Sequence, residues 1–193
     1  VLLTGGTGFI GSHMAAKLLE HNVKFIIVDN LSNSDRSQLK ILEDHFHEKI
    51  PFYNFDIRDE KKMAIVFNEN KIDSVIHFAG LKSVNESVNN PEDYYNNNVV
   101  GSRNLLKIAK ENNIKKFIFS SSATVYGEPK YLPIDEKHPL SAMSPYGQNK
   151  IDIEQAIFSD PFFKTDCCTT VLRYFNPVGA FQDGLIGEIP RGI

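Results

Sequence analysis

Short runs of β-branched and aromatic residues alternate along this chain with longer amphipathic stretches. The runs fall near 1–4, 24–29, 52–55, 74–78, 116–120 and 169–174, with room for a helix between each pair. That alternation predicts an α/β fold, a parallel sheet covered by crossover helices. From about Gly8 to His21, Ile10, Met14, Ala15, Leu18 and Leu19 fall on one helical face, which predicts a core-facing stripe. Asn90 before Pro91 predicts an N-cap with proline at the first helical position, opening a long helix that runs to about Asn112. Ser144 before Pro145 repeats the device. No repeat, low-complexity tract or linker interrupts the chain before Tyr174, after which Gly and Pro mark loop.

Composition narrows the function classes. The 193 residues suit one globular domain with a short piece of another. Lys and Arg number 21 against 24 Asp and Glu, with no long run of either sign, so there is no electrostatic footprint for nucleic acid or an anionic membrane. No apolar stretch approaches the roughly 18 residues of a membrane span. A small-molecule protein is the expectation. Cys167 and Cys168 are adjacent, which suits neither a disulfide framework nor a zinc site, and both read as reduced core residues in a cytoplasmic setting. Val1 already reads as the start of a strand and "GLIGEIPRGI" stops in mid-loop, so the chain reads as cut at both ends.

The stretch "LLTGGTGFIGSH" sets Gly5, Gly6, Gly8 and Gly11 between the first strand and the first helix, and no glycine follows until Gly80. A tight turn with positive φ, close approach to a pyrophosphate and close helix-to-strand packing all call for a residue without Cβ. The helix N-terminus then offers free N–H groups to phosphate. Asp29, 18 residues after Gly11 at the end of the second strand, completes the dinucleotide-binding pattern of a doubly wound (Rossmann) sheet. Its carboxylate accepts from a ribose 2′-hydroxyl and repels a 2′-phosphate, which favours NAD over NADP. Asp56 after the third strand suits the adenine edge or a helix cap, and Asp59 is the better cap.

In "SPYGQNK", Tyr146 and Lys150 stand four apart in the first turns of a helix, on one face. A phenol ionises near pH 10, so phenolate near neutrality needs about 4 kcal/mol of help. A neighbouring ammonium and the positive ring of bound NAD are the expected sources. In an open α/β sheet ligands bind beyond the carboxyl ends of the strands, where Ser122 and Thr124 follow strand five. Ser120 and Ser121 read as ordinary strand-end turn residues.

Together with the glycine loop and Asp29, "HFAGLKSVNES", "NNVVGS", "SSSATVYG", "SPYGQNK" and "LRYFNPVGA" resemble the extended short-chain dehydrogenase/reductase family over essentially the whole chain, and within it the enzymes that epimerise nucleotide sugars. The resemblance implies an NAD-binding Rossmann domain over 1–175 and, from 176 to 193, the start of a smaller substrate-binding region. It implies interconversion of UDP-galactose and UDP-glucose at C4, with Ser122, Tyr146 and Lys150 catalytic. Implied around NAD are Gly5, Gly8, Phe9, Ile10, Gly11, Asp29, Asn30, Asn33, Ser34, Asp56, Ile57, Phe78, Ala79, Gly80, Lys82, Asn98, Tyr146, Lys150 and Tyr174. Implied around the UDP-sugar are Lys82, Ser122, Thr124, Tyr146 and Asn176. A homodimer through the helices opening at Asn90 and Ser144 is also implied. Ala123 and Thr124 stand where related sugar-nucleotide dehydratases carry an acid, so elimination of water is disfavoured. Another NAD-dependent conversion of a nucleotide sugar, and a non-catalytic NAD-binding scaffold, remain the alternatives.

Other conspicuous residues have plain readings. His45 and His47, two apart, suit a solvated face better than a metal, and His77 inside an apolar strand reads as a satisfied core histidine.

Overall fold

The computed structural model describes residues 1–182 and 184–189 and carries the predicted alternation. In chain order the elements are β1 (Leu2–Thr4), α1 (Phe9–Glu20), β2 (Ile26–Asp29), α2 (Ser37–Phe46), β3 (Phe52–Asn54), α3 (Glu60–Glu69) and β4 (Ser74–His77). There follow α4 (Val84–Asn89), α5 (Pro91–Tyr94), α6 (Gly101–Glu111), β5 (Lys116–Ser122), α7 (Pro145–Ser159) and β6 (Cys168–Tyr174). All strands are parallel, in the order β3, β2, β1, β4, β5, β6.

Successive side chains of a strand point to opposite faces, and here both faces are core. Leu2, Val28, Val75, Phe117 and Phe119 pack with Met63, Val66, Leu105, Ile153 and Ile157 of α3, α6 and α7. Leu3, Ile27 and Ile76 pack with Ala15, Ala16, Leu19, Leu39 and Leu42 of α1 and α2. The sheet grows one way from β1 and the other way from β4. Between those two strands the connections diverge and leave a crevice at the carboxyl ends.

The helix ends follow local chemistry. Asp59 accepts from Lys62 N–H at the start of α3, and Ser144 accepts from Gly147 N–H at the start of α7, where Pro145 occupies the first helical position. After α1 and α6, Asn22 and Asn113 take left-handed φ of 53° and 51°, which lets Val23 N–H and Ile114 N–H reach back to Leu18 O and Ala109 O.

Four expectations change. The helix opened at Pro91 does run to Glu111, but Tyr95–Val100 forms a π turn and Asn90 makes no side-chain cap bond. β5 extends to Ser122, because Ser121 and Ser122 pair with Arg173 and Tyr174, so Ser120 and Ser121 are strand rather than turn. Cys167 is buried but Cys168 is exposed at the start of the edge strand β6. The segment after Tyr174 is not all free loop: Phe181 and Ile186 are buried against the α1 and α2 side and bridge one another, with Phe181 N–H donating to Ile186 O at 3.0 Å. Residues 183 and 190–193 of the predicted substrate region lie outside the described residues. Among the described residues, no helix is long and apolar enough to cross a membrane.

Candidate functional site

A cavity of about 450 Å³ opens at the carboxyl ends of the strands, over the crevice between β1 and β4. One end is the glycine turn. Gly5 has φ +70°, and a Cβ there would collide with the backbone of Phe78 and Ala79; at Gly11 it would collide with Gly5 O. Gly8 caps α1 without a side-chain bond, and no acidic residue sits in the first turn, so the helix N-terminus faces the cavity with its positive end unshielded. Asp29, 8% exposed, accepts from Thr7 N–H at 3.1 Å and Leu31 N–H at 2.9 Å and lies on the wall.

Asp56 is on the same wall, gripped by Arg58 through Nε (2.9 Å) and Nη2 (2.7 Å) and by Asn30 Nδ2 (2.9 Å). The guanidinium holds its carboxyl down at about 2. The cap of α3 is Asp59, as its position suggests.

The other end belongs to β5 and α7. Ser122 Oγ accepts from Thr124 N–H at 3.2 Å and from Thr124 Oγ1 at 3.0 Å, and Tyr146 and Lys150 rise beside it on the first turns of α7. Burial holds the Tyr146 phenol above its usual range, opposed by a hydrogen bond with Ser122. Burial pushes Lys150 down to about 8, with the Glu154 carboxylate pulling the other way. The ammonium donates to Ser120 O at 2.8 Å and sits 5.6 Å from the centre of the Tyr146 ring. It is thus held by a carbonyl, and its charge does not offset the burial of Tyr146. A low phenol pKa is therefore not built into the chain alone, and of the two expected sources the Lys150 ammonium does not supply it.

A family model described as GDP-mannose 4,6 dehydratase matches residues 2–193 of this chain. The chain belongs to this family. Among its relatives, the UDP-glucose 4-epimerase of Yersinia enterocolitica is 49% identical over 193 residues, matching 100% of this chain and 57% of the relative. That of Dictyostelium discoideum is 47% identical over 197 residues, with 100% and 56% covered. Among solved structures, UDP-glucose 4-epimerase from Bifidobacterium longum in complex with NAD+ and UDP superposes with a TM-score of 0.92 at 48% identity, over 100% of this chain and 58% of that one. The Stenotrophomonas maltophila enzyme with bound NAD and formylated UDP-arabinopyranose gives 0.94 at 42%, over 99% and 57%. The chain therefore spans a little over half the length of these relatives.

Of the residues implied around NAD and the UDP-sugar, the cavity wall brings together all but one. Asn98 is the exception. It is 2% exposed and sits behind the loop after β4, accepting from Leu81 N–H at 2.8 Å and donating to Leu81 O at 3.0 Å. Its work is to hold the loop that puts Gly80 and Lys82 on the wall, while Asn97 lines the cavity instead. The π turn behind it is tied by Ser102 Oγ, which donates to Asn98 O and bonds His77 Nε2, whose Nδ1 meets Thr4 Oγ1. His77 is thus a satisfied core histidine, kept neutral by burial with its pKa near 3.

Thr7, Gln38, Asn97 and Glu188 on the wall were not singled out. Thr7 carried a signal, since it lies inside the glycine loop. Glu188 carried none: its position depends on Gln38 Nε2 holding Gly187 O at 2.7 Å, and it meets Lys82 Nζ at 3.0 Å across the mouth. His45 and His47 are exposed, and no cluster of metal-binding side chains occurs among the described residues.

Proposed function

We propose that the full-length protein is an NAD-dependent epimerase that interconverts UDP-galactose and UDP-glucose at C4 through a transient 4-keto sugar. The observation that carries this reading is that Ser122, Tyr146 and Lys150 share one cavity wall with the glycine turn and Asp29. The names of the relatives agree with it. A non-catalytic scaffold would have no use for those three side chains on that wall.

The residues fit NAD. The turn at Gly5 and Gly11 has no space for a Cβ, the N-terminus of α1 is free for a pyrophosphate, and the Asp29 carboxylate lies where a ribose hydroxyl would be held. Asp56 with Asn30 would meet the adenine end, and Gly80, Lys82, Lys150 and Tyr174 the nicotinamide half. NAD held by these residues would supply a reversible hydride acceptor beside the sugar C4. Tyr146 as phenolate takes the proton of the 4-hydroxyl, and Ser122, held by Thr124, donates to the same oxygen. Lys150, whose ammonium donates to Ser120 O, would hold the ribose of the nicotinamide half beside the base. After the keto sugar turns over, Tyr146 hands the proton back, so no net oxidation occurs. Thr124 and Asn176 would hold the sugar and its diphosphate.

A dehydratase reading has the family model's description in its favour. Against it stand Ala123 and Thr124, which offer no acid beside Ser122. Incubating the full-length protein with UDP-galactose separates the two. UDP-glucose without net NADH is expected, while a dehydrated product, or no product from folded NAD-loaded protein, rejects epimerisation.

On this reading residues 1–175 form the NAD-binding unit and a smaller substrate-binding region starts at 176. A homodimer through the helices opening at Asn90 and Ser144 is supported by exposed apolar side chains on them, Tyr95 and Phe158. A cytoplasmic setting agrees with two free cysteines.

A further inference from the structure

Glu154 follows Lys150 on α7 by one helical turn and Tyr146 by two, so the three share a face. It is 2% exposed. Its Oε1 accepts from Ser121 Oγ at 2.5 Å and Arg173 Nε at 3.1 Å, and its Oε2 accepts from Arg173 Nη2 at 2.7 Å. The guanidinium is fixed in turn by Tyr126, donating to its hydroxyl at 3.1 Å and overlying its ring at 5.0 Å.

Ser121 and Arg173 are cross-strand partners, and the next pair in register is Ser122 and Tyr174. One side chain of α7 therefore grips both members of the penultimate pair of the β5–β6 ladder, and Ser121 of that pair lines the cavity with both members of the last. A buried ion pair is weak evidence for stability, because apolar side chains of similar volume hold elements together as well or better. What a bidentate carboxylate–guanidinium bond adds is a fixed angle as well as a distance. Along a strand, fixing the direction of Ser121 fixes that of Ser122.

We infer that Glu154 is a positioning residue: by clamping Ser121 and Arg173 it sets Ser122 and Tyr174 against Tyr146 and Lys150. The inference rests on the epimerase reading. In the proposed reaction two elements must meet at one oxygen atom, the base coming from α7 and the hydroxyl from β5. Misplacement by a fraction of the substrate's own size is enough to lose rate without losing binding.

The test uses Ser121→Ala and Glu154→Gln in the full-length protein, with turnover expressed per bound NAD. Both are expected to lower kcat about 5- to 50-fold while the KM for UDP-galactose stays within about twofold. With Ser122 less firmly oriented, its hydrogen bond to Tyr146 weakens and the tyrosine ionises at higher pH, read as tyrosinate absorbance against Tyr146→Phe. Glu154→Gln takes from Arg173 its only carboxylate among the described residues and can fail to fold. Ser121→Ala changes no charge, leaves Lys150 beside Tyr146 as before, and decides alone. A kcat within twofold of wild type and an unmoved tyrosine ionisation, with only thermal stability reduced, overturn the proposal. If the unaltered protein does not convert UDP-galactose, it is the epimerase reading that fails, and the tyrosine ionisation then decides the clamp by itself.

Discussion

Around Gly5 the cavity wall is backbone: a left-handed turn packed against Phe78 and Ala79, a bare helix N-terminus, and a carboxylate already satisfied by Thr7 and Leu31 N–H groups. Around Lys150 it is charge and hydroxyl taken out of water, with Lys150 at 6% exposure, Glu154 at 2% and Tyr146 held above its ordinary pKa. The first region is finished by the fold and needs only a ligand of the right shape. The second is held away from its working protonation state until a ligand changes its field. On the proposed reading, binding and chemistry are therefore separable in this cavity, and substitutions at its two ends should fail differently.

The sharpest separation is Tyr146→Phe. Loss of a general base costs about 10²- to 10⁴-fold, so turnover in the full-length protein should fall about 10³-fold while bound NAD, measured after extraction, stays at the wild-type level. Simultaneous loss of NAD would merge the two regions. Gly5→Ala is the converse. A Cβ at φ +70° is strained and meets backbone that cannot yield, so stability in urea should drop by roughly 2–3 kcal/mol and NAD should be lost from whatever folds. A variant that keeps both NAD and stability would show that the turn is less closed than its contacts imply.

These two regions were also unequally legible in the sequence. The glycine turn and Asp29 are local, since one turn, one helix start and one strand end carry the entire requirement, and all lie within 29 residues. Tyr146 and Lys150 are legible for the same reason, four apart on one helix. The clamp on them is not. Glu154, Ser121 and Arg173 meet only through the β5–β6 register, and nothing near residue 154 says which strand it will face. Asn98 shows another limit. It was implied by the resemblance alone, and because a π turn adds a residue to the helical repeat, helical spacing could not have told whether residue 97 or 98 reaches the cavity. The inner strands β1, β2 and β4 were the easiest feature, because burial on both faces leaves them largely apolar. Cys168 misled because an edge strand exposes what a central one would bury.

Lys150→Met gives a smaller effect of opposite sign. The side chain's pKa falls from 10.5 to about 8 on folding, equivalent to about 3 kcal/mol against the charged folded state. Between those values the unfolded chain binds the extra proton, so stability rises with pH across the window, and the penalty is complete below pH 8. Methionine removes that penalty but leaves Ser120 O unpaired, at a cost of about 1–2 kcal/mol. A net gain of about 1–2 kcal/mol near pH 7, shrinking above pH 8 and giving way to a loss of about 1–2 kcal/mol by pH 10.5, is expected in urea titrations, alongside lost turnover. No gain at neutral pH would mean that the charge is solvated and the contrast between the two regions overdrawn.

The smallest effect belongs to the contact that crosses the cavity mouth. Lys82 and Glu188 pair at 3.0 Å, yet their side chains are 67% and 49% exposed, so water and salt screen the bond. The tail carrying Glu188 is held instead by Phe181 and Ile186 in the core and by the Gln38 bond to Gly187 O. Glu188→Gln should therefore change stability by no more than about 0.5 kcal/mol, and less as salt is raised. Phe181→Ala, which removes a buried ring, should cost about 3–5 kcal/mol if the site cannot collapse. Comparing the two by thermal unfolding at low and high salt tells whether charge or burial pins the strap over the mouth. A salt-sensitive loss in Glu188→Gln that rivals Phe181→Ala would make the mouth a third electrostatic region, which its exposure argues against.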